Sequence, residues 1–256
     1  MSDPLKRFSN RSDNYAKFRP SYPAGVIEIL KSDCRLSKTS VVADVGSGTG
    51  ILSELFLKNG NSVFAIEPNA AMRLAAEGLL KKHANFKSIN ATAEATTLEI
   101  ESVDFVTAAQ AFHWFDRDKA RREFARILKP GGWVVLIWNE RRLNSTAFLR
   151  AYEELLLRYG TDYEKVRHEK VTGEIAEFFS PETFELKTLA NAQHFDFESL
   201  KGRLLSSSYA PDQDHPTFTA MLRKLEEIFN ANQKEGIVSF EYETKVYYGQ
   251  TAPRPL

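Results

Sequence analysis

The segment Val41-Val42-Ala43-Asp44-Val45-Gly46-Ser47-Gly48-Thr49-Gly50 runs an apolar stretch into three glycines at alternate positions and then into a helical pattern. Gly46 permits a sharp turn off a strand, while Gly48 and Gly50 carry no side chain to hold a ligand away from the backbone. The helix that follows adds free N–H groups and a partial positive charge. A strand-to-helix turn alone needs fewer glycines, so a ligand is expected on this loop. Glu67 closes the next apolar run, 21 residues after Gly46. A carboxylate there can accept hydrogen bonds from both hydroxyls of a ribose. Alone, Glu67 reads equally well as a solvated strand-end charge; behind this loop it points to a nucleoside-containing cofactor.

Two cofactor classes use such an arrangement. A dinucleotide fingerprint requires a third glycine three positions after the second, where this chain has Ile51. Gly-x-Gly-x-Gly with Asp44 beside it instead suits a smaller cationic cofactor with an amino-acid tail, Asp44 orienting the loop or an ammonium group. A nicotinamide oxidoreductase is thereby disfavoured. Gln110, His113 and Trp114 follow the fourth apolar run, at the mouth where acceptors enter open parallel sheets. His113 is the candidate general base or donor to an acceptor; the alternative is a histidine that fixes its loop. No metal centre is expected, because Cys34 is the single cysteine and His83, His113, His168, His194 and His215 are dispersed. Ser47 lacks the Gly-x-Ser-x-Gly setting of a nucleophilic serine.

The elements that must position these residues are legible from Thr39 to Trp138, where short apolar runs alternate with helical patterns in the manner of βαβ units. Strands are expected at 40–45, 62–67, 85–90, 103–109 and 133–139. Helices are expected after Thr49, after Pro68-Asn69 and over 117–128, the last ended by a Lys129-Pro130-Gly131-Gly132 turn. Beyond Asn139, Leu149, Tyr152, Leu155, Leu156 and Tyr159 recur at helical spacing, as do Phe218, Leu222, Leu225 and Phe229. Residues 237–250 alternate apolar and polar, which predicts an antiparallel C-terminal strand with one wetter face.

The 256 residues are 43% hydrophobic and 27% charged, enough to bury a sizeable core in one catalytic domain. That domain divides into an N-terminal lid and helix (1–38), a cofactor-binding core (39–140), a helical cap with a sixth-strand region (141–235) and a C-terminal strand and tail (236–256). Thirty-four basic and 34 acidic side chains cancel, so no global field draws nucleic acid or a membrane surface. A polar N-terminus and short apolar runs predict a cytoplasmic protein, monomeric or homodimeric.

Taken in order, these segments resemble the class I S-adenosylmethionine-dependent methyltransferases. AIEPNAAM carries Glu67 and Pro68 at the ribose-binding position and Met72 where a side chain packs on adenine. ATAEATTL, with Thr92, Ala93 and Glu94, resembles the adenine-contacting segment, although many relatives have Asp where Thr92 stands. VDFVTAAQAFHWFD and ILKPGGWVVLIW resemble the fourth- and fifth-strand motifs. FSNRSDNYAKFRPSYP, QAFHWFD and RLLSSSYAP are similar to the small-molecule subgroup typified by trans-aconitate methyltransferases. The resemblance implies a doubly wound, mostly parallel, Rossmann-like seven-stranded α/β sheet with an antiparallel C-terminal strand and helical cap insertions. It implies S-adenosylmethionine as cofactor and S-adenosylhomocysteine as product, on Asp44, Gly46, Ser47, Gly48, Gly50, Glu67, Gln110 and the adenine segment. Arg19 is then a candidate partner of a cofactor or acceptor carboxylate. Tyr15, Tyr22, His113, Trp114, Arg203 and Tyr209 are candidates for an acceptor pocket taking a small molecule, a carboxylic acid or another oxygen nucleophile. The non-enzymatic alternative is a regulatory protein that binds the cofactor without turnover.

Overall fold

The computed structural model describes residues 19–163, 171–207 and 209–251. Tyr15, His168 and most of the expected N-terminal lid lie outside them. Helix α1 (Gly25–Cys34) precedes β1 (Val41–Val45), α2 (Ile51–Asn59), β2 (Ser62–Ile66), α3 (Ala70–Leu80), β3 (Phe86–Ile89) and β4 (Val103–Ala109). A single 3-10 turn at Phe112–Trp114 leads to α4 (Arg117–Ile127) and β5 (Leu128–Arg141). Then come α5 (Ala147–Tyr159), α6 (Val171–Phe179), β6 (Phe184–Phe195), α7 (Phe197–Leu205), α8 (Phe218–Asn232) and β7 (Val238–Gly249).

The strands form one seven-stranded sheet in the order β3-β2-β1-β4-β5-β7-β6. All neighbours from β3 to β5 run parallel, and β7 lies antiparallel between β5 and β6. The chain winds one way from β1 to β3 and the other way through β4 and β5. The carboxyl ends of β1 and β4 therefore part at a topological switch point, where such sheets bind ligands. β1 can sit at the centre because VVADV is apolar enough for burial on both faces; Val42, Ala43 and Val45 are fully buried.

Helix starts follow local chemistry. Asn69, Asp116, Thr146 and Asp196 each accept a backbone N–H of the first turn, at 3.1, 3.2, 3.1 and 2.8 Å. One apolar layer packs α4 and α6 against the sheet through Phe112, Phe124, Trp138 and Phe178, while α1 and α2 cover the other face through Leu30 and Phe56. A third cluster joins α5, α7 and α8 to Phe195, Val238, Phe240 and Tyr242 on the far ends of β6 and β7. This is the cap, standing beyond the carboxyl end of β5.

Three expectations need correction. The Lys129-Gly132 turn is absorbed into β5, which begins at Leu128; the irregularity appears as a register shift opposite Val103 and Phe105. Helix α6 belongs to the sheet layer rather than the cap, since Ile175, Phe178 and Phe179 join the core beside α4. The wetter face of β7 lasts only to Lys245, because Tyr247 and Tyr248 are buried on opposite sides of the sheet.

Candidate functional site

A cleft of about 350 Å³ opens at the switch point. Its walls come from the glycine loop, the end of β2 with the start of α3, the segment after β3, and the turn after β4. The loop is held from below. Gly46 and Ser47 donate their N–H groups to the Ile66 carbonyl at 2.8 and 3.1 Å, which lays the turn across the end of β2.

Glu67 sits at the centre of the binding wall, 8% exposed. Oε2 accepts from Gly48 N at 2.9 Å and Oε1 from Asn69 N at 2.8 Å. Burial raises the carboxyl above its usual range, opposed by these two N–H groups and by Arg73. A carboxylate has about four acceptor positions, so the two backbone bonds leave capacity on both oxygens for a pair of ligand hydroxyls.

Asp44 lies beneath the loop, where Ser53 of α2 and Thr107 of β4 donate to its two oxygens at 2.6 and 3.2 Å. Burial pushes its carboxyl up to about 6 despite those bonds. Asp44 thus ties β1 to its neighbours and lines the cleft floor.

Three buried oxygens in the cleft wall have no hydrogen-bond partner among the described residues: Ser47 Oγ, Thr49 Oγ1 and Gln110 Oε1. Orphaned acceptors of this kind are costly unless a ligand or water meets them. Gln110 is held in place by its own Nε2, which donates to the Asn139 carbonyl at 3.0 Å, and its backbone takes the left-handed φ of 54°. These groups, with Glu67 opposite, fit a ligand carrying an amino-acid end and a ribose.

Gly48 and Gly50 divide the loop's work differently from the sequence expectation. A Cβ on Gly48 would meet nothing within 4 Å, so this glycine faces the open cleft. A Cβ on Gly50 would come within 2.6 Å of Leu80 Cδ1, and Gly50 does not line the cleft. Its absent side chain lets α2 pass close to α3. Both have positive φ, 56° and 84°. Gly48→Ala is therefore expected to weaken S-adenosylhomocysteine binding at least tenfold while costing only about 1 kcal/mol of stability for the left-handed backbone. Gly50→Ala adds a steric clash and is expected to cost roughly 2–4 kcal/mol. Paired calorimetric titrations and urea melts measure the contrast; equal losses of stability would refute it.

Of the other expected residues, Tyr22, Pro68, Met72, Thr92, Ala93, Glu94 and Trp114 line the cleft. Glu94 also accepts from Asp116 N at 2.9 Å, which ties the segment after β3 to the start of α4. The His113 ring lies 4.7 Å from that of Trp114, tilted by 45°, but is not part of the cleft wall. Arg19, Arg203 and Tyr209 are absent from that wall too: Arg19 reaches the Ser206 carbonyl at 3.3 Å, and Arg203 and Tyr209 belong to the cap. Thr49, Ile51, Leu52, Asn69, Ala109, Ala111 and Phe115 were missed as lining residues. Thr49 and Ile51 had a signal in the glycine loop itself; Phe115 had none that separates it from core.

A doubly wound sheet with a glycine loop and a half-satisfied acid at its switch point defines a nucleoside-cofactor-binding α/β protein. A family model described as a methyltransferase domain matches residues 43–136. The chain is 32% identical to an uncharacterised methyltransferase of Geobacillus kaustophilus over 60% of this chain and 74% of that one. It is also 32% identical to an uncharacterised methyltransferase-like protein of Schizosaccharomyces pombe over 62% of this chain and 60% of the relative. A solved structure from Anaeromyxobacter dehalogenans, named as a type II methyltransferase, superposes with a TM-score of 0.66 at 23% identity, covering 93% of this chain and all of that one. The matches span just over half the length of several curated relatives, between 52 and 60%. The chain belongs to the methyltransferase family, whose cofactor is S-adenosylmethionine.

Proposed function

We propose that the protein transfers a methyl group from S-adenosylmethionine to a small-molecule acceptor, a carboxylic acid or another oxygen nucleophile. The observation that carries this reading is that one cleft is lined both by Glu67, with acceptor capacity left on its two oxygens, and by the oxygens of Ser47, Thr49 and Gln110 that have no partner among the described residues. The residues present fit the cofactor: Glu67 for its ribose, Thr92 to Glu94 and Met72 for its adenine, and Asp44, Ser47, Thr49 and Gln110 for its amino-acid end. When bound, the cofactor supplies an electrophilic methyl group.

The chain's part is then alignment and exclusion of water. Tyr22 and Trp114 flank the cleft. A carboxylate acceptor arrives ionised and needs no base. A hydroxyl acceptor would need one, and His113, in the turn beside Trp114, is the proposed candidate. The neutral net charge and the absence of an Asn/Asp-Pro-Pro-aromatic sequence after β4 favour a small molecule over a nucleic acid. The likeness to the trans-aconitate methyltransferase subgroup supports the same choice.

Calorimetric titration with S-adenosylmethionine, S-adenosylhomocysteine and NAD tests the reading: the first two are expected to saturate and NAD to give no heat. The protonation of Asp44 adds a second readout. Its folded-state carboxyl, near 6, lies above the ordinary value of 3.8, so it favours the fold most at low pH and loses that contribution as pH rises through 6. An ammonium group placed beside it would expel the proton. At pH 6 binding is therefore expected to release up to about half a proton, read from titrations in buffers of different ionisation enthalpy, and affinity is expected to rise across pH 6. Asp44→Asn should abolish the release. Saturable binding of NAD alone would overturn the proposal.

A further inference from the structure

Among the described residues the cap holds more buried positive charge than paired carboxylates neutralise. Arg141 ends β5 with its side chain 10% exposed. Its Nη2 donates to Glu153 of α5 and, at 3.0 Å, to the Tyr163 hydroxyl, which itself donates to Glu153 at 2.6 Å. Arg203 of α7 is 6% exposed, and its partners are neutral. Its Nε donates to the Tyr242 hydroxyl at 3.5 Å and its Nη1 to Ser207 Oγ at 3.0 Å. No carboxylate pairs with Arg203 among the described residues. Nearby Glu140, Glu241 and Glu243 are engaged outside the cluster by Lys245 and Arg142.

Two arginines thus face one carboxylate, and both guanidinium groups lie 5.9 Å from the same ring, Phe240. Two buried polar groups point to what is missing. Tyr152 is 1% exposed and its hydroxyl has no partner among the described residues, although the ring packs 5.2 Å from the Arg141 guanidinium and its hydroxyl lies in the field of both arginines. Arg141 Nη1 is likewise buried without an acceptor among the described residues. Buried charge and orphaned donors together are the form an anion site takes before its anion arrives.

The location suits an acceptor. Asn139, whose carbonyl holds the Gln110 side chain at the cleft, precedes Arg141 by two residues on the same face of β5, about 7 Å along the strand. Arg141 thus lies one pleat beyond Asn139 at the carboxyl end of β5, the end of the strands from which an acceptor approaches in open parallel sheets.

We propose that this cluster anchors a carboxylate of the methyl acceptor, a small organic acid whose apolar body lies against Phe240. Arg203 and the free N–H of Arg141 donate to the carboxylate oxygens and the Tyr152 hydroxyl completes the set. One uncompensated positive charge matches one carboxylate, whereas a phosphate dianion would overshoot it. The planar guanidinium fork matches carboxylate geometry. This inference rests on the methyltransferase reading and adds the residues that recognise the acceptor.

The test titrates the full chain, saturated with S-adenosylhomocysteine, with succinate, glutarate, benzoate and cinnamate, alongside their uncharged amides and inorganic phosphate. At least one acid is expected to bind saturably, with no binding by its amide or by phosphate. Arg203→Met is expected to weaken that acid at least tenfold. Tyr152→Phe guards against misfolding, since the hydroxyl it removes has no partner among the described residues: the expected result is a several-fold loss of acid affinity with an unchanged or raised Tm. Affinity for S-adenosylhomocysteine should stay within about twofold in both variants. Absence of binding by every acid, equal binding of phosphate, or wild-type acid affinity in both variants overturns the assignment. Failure of S-adenosylhomocysteine itself to bind is read separately, in the first titration, and counts against the cofactor reading instead.

Discussion

Glu67→Ala is expected to weaken S-adenosylhomocysteine binding by about 100-fold, a loss of roughly 2–3 kcal/mol, which is the scale of hydrogen bonds to a charged group. The expectation follows from how the carboxylate is held. One oxygen is fixed by Gly48 N and the other by Asn69 N, so both remaining acceptor directions are aimed rather than free to rotate. The alanine variant loses the ribose contacts and also the brace that orients Gly48, the loop residue facing the open cleft. Glu67→Gln is expected to be nearly as damaging despite its matching size. Whichever way its amide turns, the NH2 group opposes one of the two backbone donors. Asp44→Asn separates the roles, since Asp44 is engaged by hydroxyls that can reverse their bonds; it should change the proton release more than the affinity. Calorimetry on the three variants measures this, and affinities for both Glu67 variants within threefold of wild type would remove the ribose assignment.

The cofactor half of the molecule was legible because its signals are local. VVADVGSGTG is a buried strand, a turn and a helix start in ten consecutive residues, and Asn69 caps the helix that the sequence predicts after it. The alternation of βαβ units made the sheet readable, since parallel strands buried on both faces leave unbroken apolar runs. Strand β6 was not readable in that way. At the sheet edge FELKTLANAQHF is exposed over most of its length, so neither its composition nor a buried period marks it; pairing with β7 along twelve residues makes it a strand. The cap cluster escaped for a related reason. Arg141, Tyr152, Glu153 and Arg203 come from three separate elements and look like an ordinary surface arginine, a helical core position and a solvated glutamate until tertiary packing brings them together. Arg203 was singled out from the family likeness of RLLSSSYAP, but its partner Arg141 carries no signal of its own. Gly50 shows the opposite limit: the sequence marks it correctly as a required glycine, while the close approach of Leu80, which gives the reason, exists only in the fold.

The second large effect is expected at Glu153. Its carboxylate is the only one among the described residues paired with the cap arginines, and the Arg141–Glu153 pair has side-chain exposures of 10% and 12%. Such a pair contributes little over an apolar pair of the same volume, because desolvation of both charges offsets their attraction. Removing one partner is different in kind, since it leaves the other charge buried without compensation. Glu153→Ala would leave Arg141 and Arg203, each 5.9 Å from the Phe240 ring, with no paired carboxylate among the described residues, and is expected to destabilise the protein by about 3–5 kcal/mol. The double variant Arg141→Met/Glu153→Leu deletes both charges and fills their space, so it should lose less than half as much, despite carrying one more substitution. Urea melts of the two variants and the wild type supply the comparison. If the cap is an acid-binding site, an organic acid that binds the wild type should also restore part of the stability lost in Glu153→Ala, because the added carboxylate replaces the charge that was removed. A loss below about 1 kcal/mol in Glu153→Ala would mean that water already solvates the arginines, and with it would go the argument that their charge awaits an acceptor.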